Sequence, residues 1–242
     1  MALKIGIISQ ARMTSTRLPG KVLKKVKDKT LLEYHVERLK KAGDAELCIA
    51  TTVNETDDSI VQFCQENHIK FYRGSEEDVL SRYYECALAN KYDVVVRVTS
   101  DCPLVDGELI KKGLEAYQRE PFVNKYVSNS IQRTFARGFD FEIFSFDLLE
   151  QAYKNATEYS DREHVTPFIK NKILDIKKID ILNKQDNSNL RITVDEPDDF
   201  NLVQELILNY SAATKGYEEI ESILLNNKHL IALNQHIEQK KV

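Results

Sequence analysis

The sequence predicts an α/β protein: a Rossmann-like, mostly parallel sheet flanked by helices, with a small side sheet or dimerisation lobe. Three features predict it. Short, continuously apolar runs alternate with stretches of helical periodicity, which is the pattern of βαβ units. The runs are unbroken rather than alternating, as in strands buried on both faces. A chain of 242 residues with 42% hydrophobic content is also long enough to bury one sizeable core.

The elements follow in order. Ile5-Gly6-Ile7-Ile8 is the first strand. Leu31, Leu32, Tyr34, His35, Val36 and Leu39 fit a helix opened by Thr30, and Leu47-Cys48-Ile49-Ala50 is the next strand. A helix begins at Thr56-Asp57-Asp58 and runs through Ile60, Val61 and Phe63, ahead of a short strand over residues 69–72. Residues 79–89 are helical, and Val94-Val95-Val96-Arg97-Val98 is the clearest buried strand. Past Gly107 the alternation loosens. Residues 106–119, 146–155 and 160–172 are predicted helical, 126–130 and 135–144 extended, and 183–189 a loop. Leu190-Arg191-Ile192-Thr193-Val194 is a further apolar run, and Pro197 opens a helix with Asp198 and Asp199 in its first turn. Residues 1–242 read as one domain, with approximately 121–160 forming the side sheet or dimerisation lobe.

Composition excludes several classes of function. The net charge of −4 argues against a general nucleic-acid binder, which would be rewarded for a basic face. Met1-Ala2-Leu3-Lys4 leads straight into the first strand without a signal-peptide core, and no apolar run approaches the length of a membrane span. Cys48, Cys64, Cys86 and Cys102 are scattered, suggesting neither a disulfide framework nor a zinc site. The expectation is a reduced, soluble, cytoplasmic protein that binds neither nucleic acid nor membrane.

The chemistry concentrates where the first strand ends. Ala11-Arg12-Met13-Thr14-Ser15-Thr16-Arg17-Leu18-Pro19-Gly20-Lys21 is a cationic, hydroxyl-rich loop at a strand end, where open α/β sheets bind ligands. Arginine forks match phosphate oxygens, Lys21 adds a compact charge, and Thr14, Ser15 and Thr16 supply hydroxyl donors. A polyphosphate cradle is one reading, and a solvated basic loop is the other. The position favours the cradle. It is not a Walker loop, since Ser15 stands where that motif has Gly and Val22 where it has Ser or Thr, and Gly6 does not open a dinucleotide fingerprint. Asp101 and Asp195 each follow an apolar run, so parallel strands would turn both carboxylates toward this loop. Magnesium on a nucleoside triphosphate takes one or two carboxylates besides phosphate and water. Ordinary readings stand beside that one. Asp101 precedes Cys102-Pro103 as a turn residue would, and Asp195 adjoins a helix start, to which we assign Asp198 and Asp199.

At these residues the chain resembles a known family. The loop over residues 11–21, Asp101-Cys102-Pro103-Leu104 and Val194-Asp195-Glu196-Pro197 resemble the cytidylyltransferases that make CMP-activated acidic sugars. The nearest likeness is to the spore-coat polysaccharide biosynthesis protein F branch, related to CMP-Kdo synthetase. It extends through residues 71–82 and Asp161-Arg162-Glu163-His164-Val165-Thr166-Pro167 and spans nearly the whole chain. The resemblance implies a nucleotide-diphosphosugar transferase fold, a loop that wraps the triphosphate of CTP, and Mg2+ on Asp101 and Asp195. It implies in-line attack by an acceptor oxygen on the α-phosphorus, with Arg12, Lys21 and Asp101 as catalytic residues. Ala11, Arg12, Thr14, Ser15, Thr16, Arg17, Lys21, Arg73 and Thr99 would bind the nucleotide. Glu163 and His164 would contact the sugar-like acceptor. Arg133 and Arg137 are either ligands for a carboxylate or phosphate on that acceptor or surface charge. A homodimer is expected. One departure stands out: CMP-Kdo synthetases carry Gln shortly before the strand-end Asp, whereas this chain reads Arg97-Val98-Thr99-Ser100-Asp101. Recognition of cytosine does not carry over intact. Arg73, Ser75, Asp78 and Arg82 are candidates to line the base or ribose pocket, although Asp78 and Arg82 also have the i,i+4 spacing of a helical ion pair, the reading we favour. Two other functions stay open. A glycosyltransferase would bring its metal with Asp-x-Asp, for which Asp140-Phe141-Glu142 and Asp106-Gly107-Glu108 are only imitations. A nucleotide-binding subunit without turnover is the other.

Overall fold

The computed structural model describes residues 3–238. After β1 (Ile5–Gln10) come the hairpin strands β2 (Lys25–Val26) and β3 (Lys29–Thr30), then α1 (Leu31–Leu39), β4 (Glu46–Thr52), α2 (Asp58–Glu66), β5 (Lys70–Gly74), α3 (Val79–Asn90), β6 (Val94–Thr99) and α4 (Gly107–Arg119). The second half contains β7 (Lys125–Ser128), β8 (Glu142–Ser145), α5 (Phe146–Asn155), α6 (Tyr159–His164), α7 (Pro167–Asn171), β9 (Lys177–Asp180), α8 (Pro197–Tyr210), α9 (Tyr217–Asn226) and α10 (Lys228–Ala232).

Seven strands form one sheet in the order β5-β4-β1-β6-β8-β7-β9. β5, β4, β1 and β6 are mutually parallel, β8 runs against both its neighbours, and β9 is parallel to β7. The mostly parallel sheet is the one expected. Its apolar runs are continuous because helices cover both faces: Ile7, Val94, Val96 and Val98 enter one buried cluster, while Ile8, Cys48, Ala50 and Val95 enter another. α1 starts where Thr30 and Glu33 form a reciprocal cap, the Glu33 N–H donating to Thr30 Oγ1 at 3.1 Å and the Thr30 N–H to Glu33 Oε2 at 2.6 Å.

The second half departs from the sequence reading in four places. The strands expected in a side sheet over residues 121–160 extend the main sheet instead, because Ile143 and Phe144 of β8 bury opposite faces in its two layers. The small two-stranded sheet is the β2–β3 hairpin beside the cationic loop. Of the extended stretch 135–144 only β8 is strand. Phe135, Phe139 and Phe141 are buried anchors of an irregular segment that turns at Gly138 (φ 111°), where a Cβ would lie 2.7 Å from Ile192. The helix expected over residues 160–172 breaks at Val165 (φ 71°) into α6 and α7, the latter restarted by Pro167 in its first turn. Finally, residues 190–194 make an isolated bridge between Arg191 and Arg137 rather than a strand. That run is apolar because it crosses over the core, with Leu190, Ile192 and Val194 buried.

Candidate active site

Parallel pairing of β1 with β6, in the register Gln10↔Thr99, brings the loop after β1 and the turn after β6 out of the same sheet edge. The loop closes on itself through the Gly20 N–H to the Met13 carbonyl at 2.9 Å, and Gly20 takes a left-handed conformation (φ 67°) that turns the chain inward at Lys21. Lys21 is consequently 8% exposed. Its ammonium donates to Asp101 Oδ2 at 3.0 Å, Asp195 Oδ1 at 2.8 Å and the Val194 carbonyl at 2.7 Å.

Other groups also fix the two aspartates, the backbone of Asp101 and the carboxylate of Asp195. The Asp101 carbonyl accepts from the Val194 N–H at 2.8 Å, tying the two segments together. Asp195 Oδ2 meets Arg17 Nη2 at 3.1 Å and Arg191 Nη2 at 2.8 Å. Asp199 fixes the backbone beneath them, accepting from the N–H groups of Asp195 and Glu196 at 2.9 and 3.1 Å while holding Arg191 Nε at 2.9 Å. This buried aspartate therefore does the helix-start work the sequence assigns to it. Burial pushes the Asp101 carboxyl up, but the Lys21 charge and hydrogen bonds from Thr99, Lys21 and Cys102 hold it at about 2. Burial works against the Lys21 charge as well, and the facing carboxylates overcome it, raising the ammonium above its ordinary value. Lys21 and Asp101 are thus both charged at neutral pH.

The other loop residues are parked on acids or on the sheet. Arg12 Nη1 reaches Glu76 Oε1 at 3.5 Å, and Thr14 and Asn54 also donate to that carboxylate. Arg17 bridges Asp195 and Glu196. The Ala11 N–H is spent on the Ala50 carbonyl at 3.1 Å, whereas Ser15 is half-buried and Thr16 exposed on the loop. Arg73 commits its donors to the β4–α2 connection, at 2.9 Å to the Thr52 carbonyl, 2.8 Å to the Asn54 carbonyl and 2.7 Å to Asp58 Oδ1. Its direct effect is to position Asn54. The expected Asp78–Arg82 pair does not form. Asp78 caps α3, accepting from the Ser81 N–H at 3.0 Å, so its carboxylate points off the helix end and pairs with Arg162. Arg82, 1% exposed, donates to the Ser75 carbonyl at 2.7 Å instead.

Beside Asp101 and Asp195 opens a cleft of about 880 Å3, whose wall includes Thr99, Arg133, Arg137 and His164. Glu163 is not part of that wall and faces His164 Nε2 at 3.6 Å. Burial lowers the His164 pKa, favouring the neutral ring. Arg133 pairs with Asp140 across the cleft's rim. Sequence reasoning gave no role to four other residues of the cleft lining: Arg97, Glu142, Thr166 and Lys170. Glu142 receives Arg97, the Tyr126 and Thr166 hydroxyls and, at 3.6 Å, Lys170. Burial pushes the Glu142 carboxyl up, yet Arg97 and Lys170 hold it at about 2, and Glu142 in turn raises Arg97 against its own burial. The available signal was Arg97 itself, a charge inside an otherwise apolar strand.

The donor set suits a divalent cation. Asp101 and Asp195 aim hard oxygens at one point that already attracts a cationic group, and no cluster of three metal-ligating side chains forms among the described residues. Magnesium completed by phosphate oxygens and water needs no more from the protein.

A carboxylate pair and a basic loop that meet beside an open cleft can hold a polyphosphate with its cation and leave space for a second small molecule. The cytidylyltransferase family model matches residues 5–241. Spore coat polysaccharide biosynthesis protein SpsF of Bacillus subtilis is 32% identical over 82% of this chain and 84% of that protein. A cytidylyltransferase structure from Leptospira borgpetersenii serovar Hardjo-bovis shares 32% identity with a TM-score of 0.91, over 98% of this chain and 100% of that one. A CMP:2-keto-3-deoxy-manno-octonic acid synthetase complexed with CTP shares the fold, with a TM-score of 0.63 at 18% identity over 86% of this chain and 99% of that chain. The chain belongs to the cytidylyltransferase family. Among the described residues no helix is long and apolar enough to cross a membrane.

Proposed function

We propose that the protein transfers CMP from CTP to an acidic sugar or a related hydroxyl-bearing acceptor, with Mg2+ and release of pyrophosphate, in surface polysaccharide biosynthesis. The observation that carries this reading is the Lys21 ammonium held by Asp101 and Asp195, two carboxylates that line the cleft. The names of SpsF and of the CTP-bound neighbour support the pathway class and the nucleotide.

Asp101 and Asp195 would hold the metal, which when bound neutralises phosphate charge and polarises the α-phosphate. Lys21 then exchanges its carboxylates for phosphate oxygens and offsets the charge that grows on the leaving pyrophosphate. Arg12 and Arg17 make the same exchange from Glu76 and from Asp195 and Glu196, helped by the Thr14, Ser15 and Thr16 hydroxyls. Because those acids occupy the cations beforehand, the loop is built before the nucleotide arrives. Thr99 lines the cleft, within which Arg133, Arg137 and the neutral His164 would orient the acceptor. An acceptor oxygen attacks the α-phosphorus as the bond to the β-phosphate oxygen breaks, so positioning and charge neutralisation supply the rate.

A matrix of nucleoside triphosphates against candidate acceptors, read by pyrophosphate release, tests the reaction. CTP with an acidic sugar gives turnover, and release with no pairing overturns the reading. CTP with Mg2+ also raises the melting temperature more than ATP, GTP or UTP, by ordinary linkage. Equal shifts from all four would remove the cytidine preference. The protein is further proposed to be a homodimer, for which light scattering at assay concentration returns twice the chain mass of 27.9 kDa. A monomer mass refutes it.

A further inference from the structure

Behind the Asp101 turn lies a chain of buried hydrogen bonds that the transfer reaction does not touch. Ser9 on β1, His35 on α1 and Ser100 after β6 are respectively 0%, 0% and 1% exposed. Ser9 Oγ lies 2.7 Å from His35 Nε2 and 2.7 Å from Ser100 Oγ, and His35 Nδ1 lies 2.8 Å from the Cys102 carbonyl oxygen. Chemistry fixes the direction of every bond. A carbonyl only accepts, so Nδ1 carries the ring proton and donates it. Nε2 of the neutral ring is then an acceptor, the Ser9 hydroxyl donates to it, and the Ser9 oxygen accepts from Ser100. Burial, which depresses the His35 pKa to about 4, keeps the ring neutral and this order intact.

The chain grips residues on both sides of Asp101. Ser100 is tied through Ser9, the Cys102 carbonyl is tied to the ring, and the Ser100 N–H is held by the Gln10 carbonyl at 3.0 Å. A leucine or phenylalanine at position 35 would fill the core without burying polar groups, which are costly unless each is bonded. What a hydrocarbon would not supply is a fixed turn. We propose that His35 is a positioning residue for nucleotidyl transfer: through Ser9 and Ser100 on one side and the Cys102 carbonyl on the other, it sets the backbone that presents Asp101 to the metal-bound triphosphate. The inference rests on the placing of Asp101 in that site.

Mn2+ serves as the probe, its binding in the presence of CTP followed by electron paramagnetic resonance, with kcat and KM measured in parallel. His35→Phe fills the space without either bond, His35→Asn keeps a donor near the Nδ1 position, and Ser9→Ala cuts the other arm. Val36→Ala, a neighbouring buried position on the same helix, controls for lost stability. His35→Phe weakens Mn2+ binding and kcat each about tenfold, as loss of an outer partner of a metal ligand does, with the KM for CTP little changed. His35→Asn recovers most of the loss, Ser9→Ala loses about threefold, and Val36→Ala lowers the melting temperature without moving Mn2+ affinity. Should His35→Phe not fold, Ser9→Ala and His35→Asn decide. Wild-type Mn2+ affinity in Ser9→Ala together with either His35 variant overturns the positioning role, and so does an equal loss in Val36→Ala. A wild-type protein that binds no Mn2+ with CTP overturns the placing of Asp101 instead.

Discussion

Replacing Lys21 with alanine lowers the rate of pyrophosphate release by at least about 10²–10³-fold, the usual consequence of removing one preorganised group from a developing charge. The same substitution also weakens the fold, and the two effects separate. Lys21 is the ion-pair partner of Asp101, so its loss leaves a carboxylate without its counter-charge, a change that costs less than the about 3–5 kcal/mol of a fully buried pair because the Asp101 side chain is 26% exposed. Asp195 is less affected because Arg17 and Arg191 still pair with it. Asp101→Asn removes charge but keeps shape, so it abolishes turnover and lowers the melting temperature less than Lys21→Ala does, because Lys21 keeps Asp195 and the Val194 carbonyl as partners. The double variant Lys21→Ala/Asp101→Asn is the decisive sample. It regains most of the stability lost in Lys21→Ala, since no lone charge remains, and regains none of the activity. Denaturant unfolding and pyrophosphate release on the four proteins check this. Undiminished turnover in either single variant refutes the site, and a double variant no more stable than Lys21→Ala refutes the electrostatic account.

How much of this could be read from the sequence depends on the range over which each signal acts. β1, β4 and β6 were legible because burial on both faces leaves an unbroken apolar run, and α1 because Thr30 signals its start locally. Residues 190–194 carry the same signal without being a strand, since apolar positions that cover a core look alike whether or not their backbone pairs. Val165 was invisible for a different reason: nothing in a β-branched residue announces positive φ, and neighbouring packing imposes it. Within the site, the meeting of Lys21 with Asp101 and Asp195 followed from strand ends that must share an edge. Its expected route, a strand over residues 190–194, was not the one the chain takes. The Glu142 cluster could not be assembled in advance, because Arg97, Tyr126, Glu142, Thr166 and Lys170 come from separate elements and become partners only when β8 lies against β6. Asp78 and Arg82 show the converse error. Helical spacing permits their pair, but an N-cap aspartate is already occupied.

The expected result of acidification is a loss of stability in two pH windows, the first set by His35. In the folded state its pKa is lowered from 6.5 to about 4 by burial, so between those values the unfolded chain binds a proton that the folded chain refuses. Stability therefore rises with pH through this window and is lost as pH falls through it. A displacement of that size corresponds to about 3 kcal/mol, a large share of the 5–15 kcal/mol typical of a folded domain. The second stage lies lower. Asp101 and Glu142 are held at about 2 against ordinary values of 3.8 and 4.5, so their contributions are present above those values and disappear as pH drops toward 2. Urea unfolding between pH 7.5 and 5.5 isolates the first stage, because in that range the two carboxylates are almost fully ionised in both states. Wild-type stability falls steadily across the range, while His35→Phe, which has no ring to protonate, starts lower and is much flatter. His164 leaves a small residual slope, since burial lowers its pKa too but its side chain is 34% exposed. An undiminished slope in His35→Phe would mean that some other group carries the acid sensitivity.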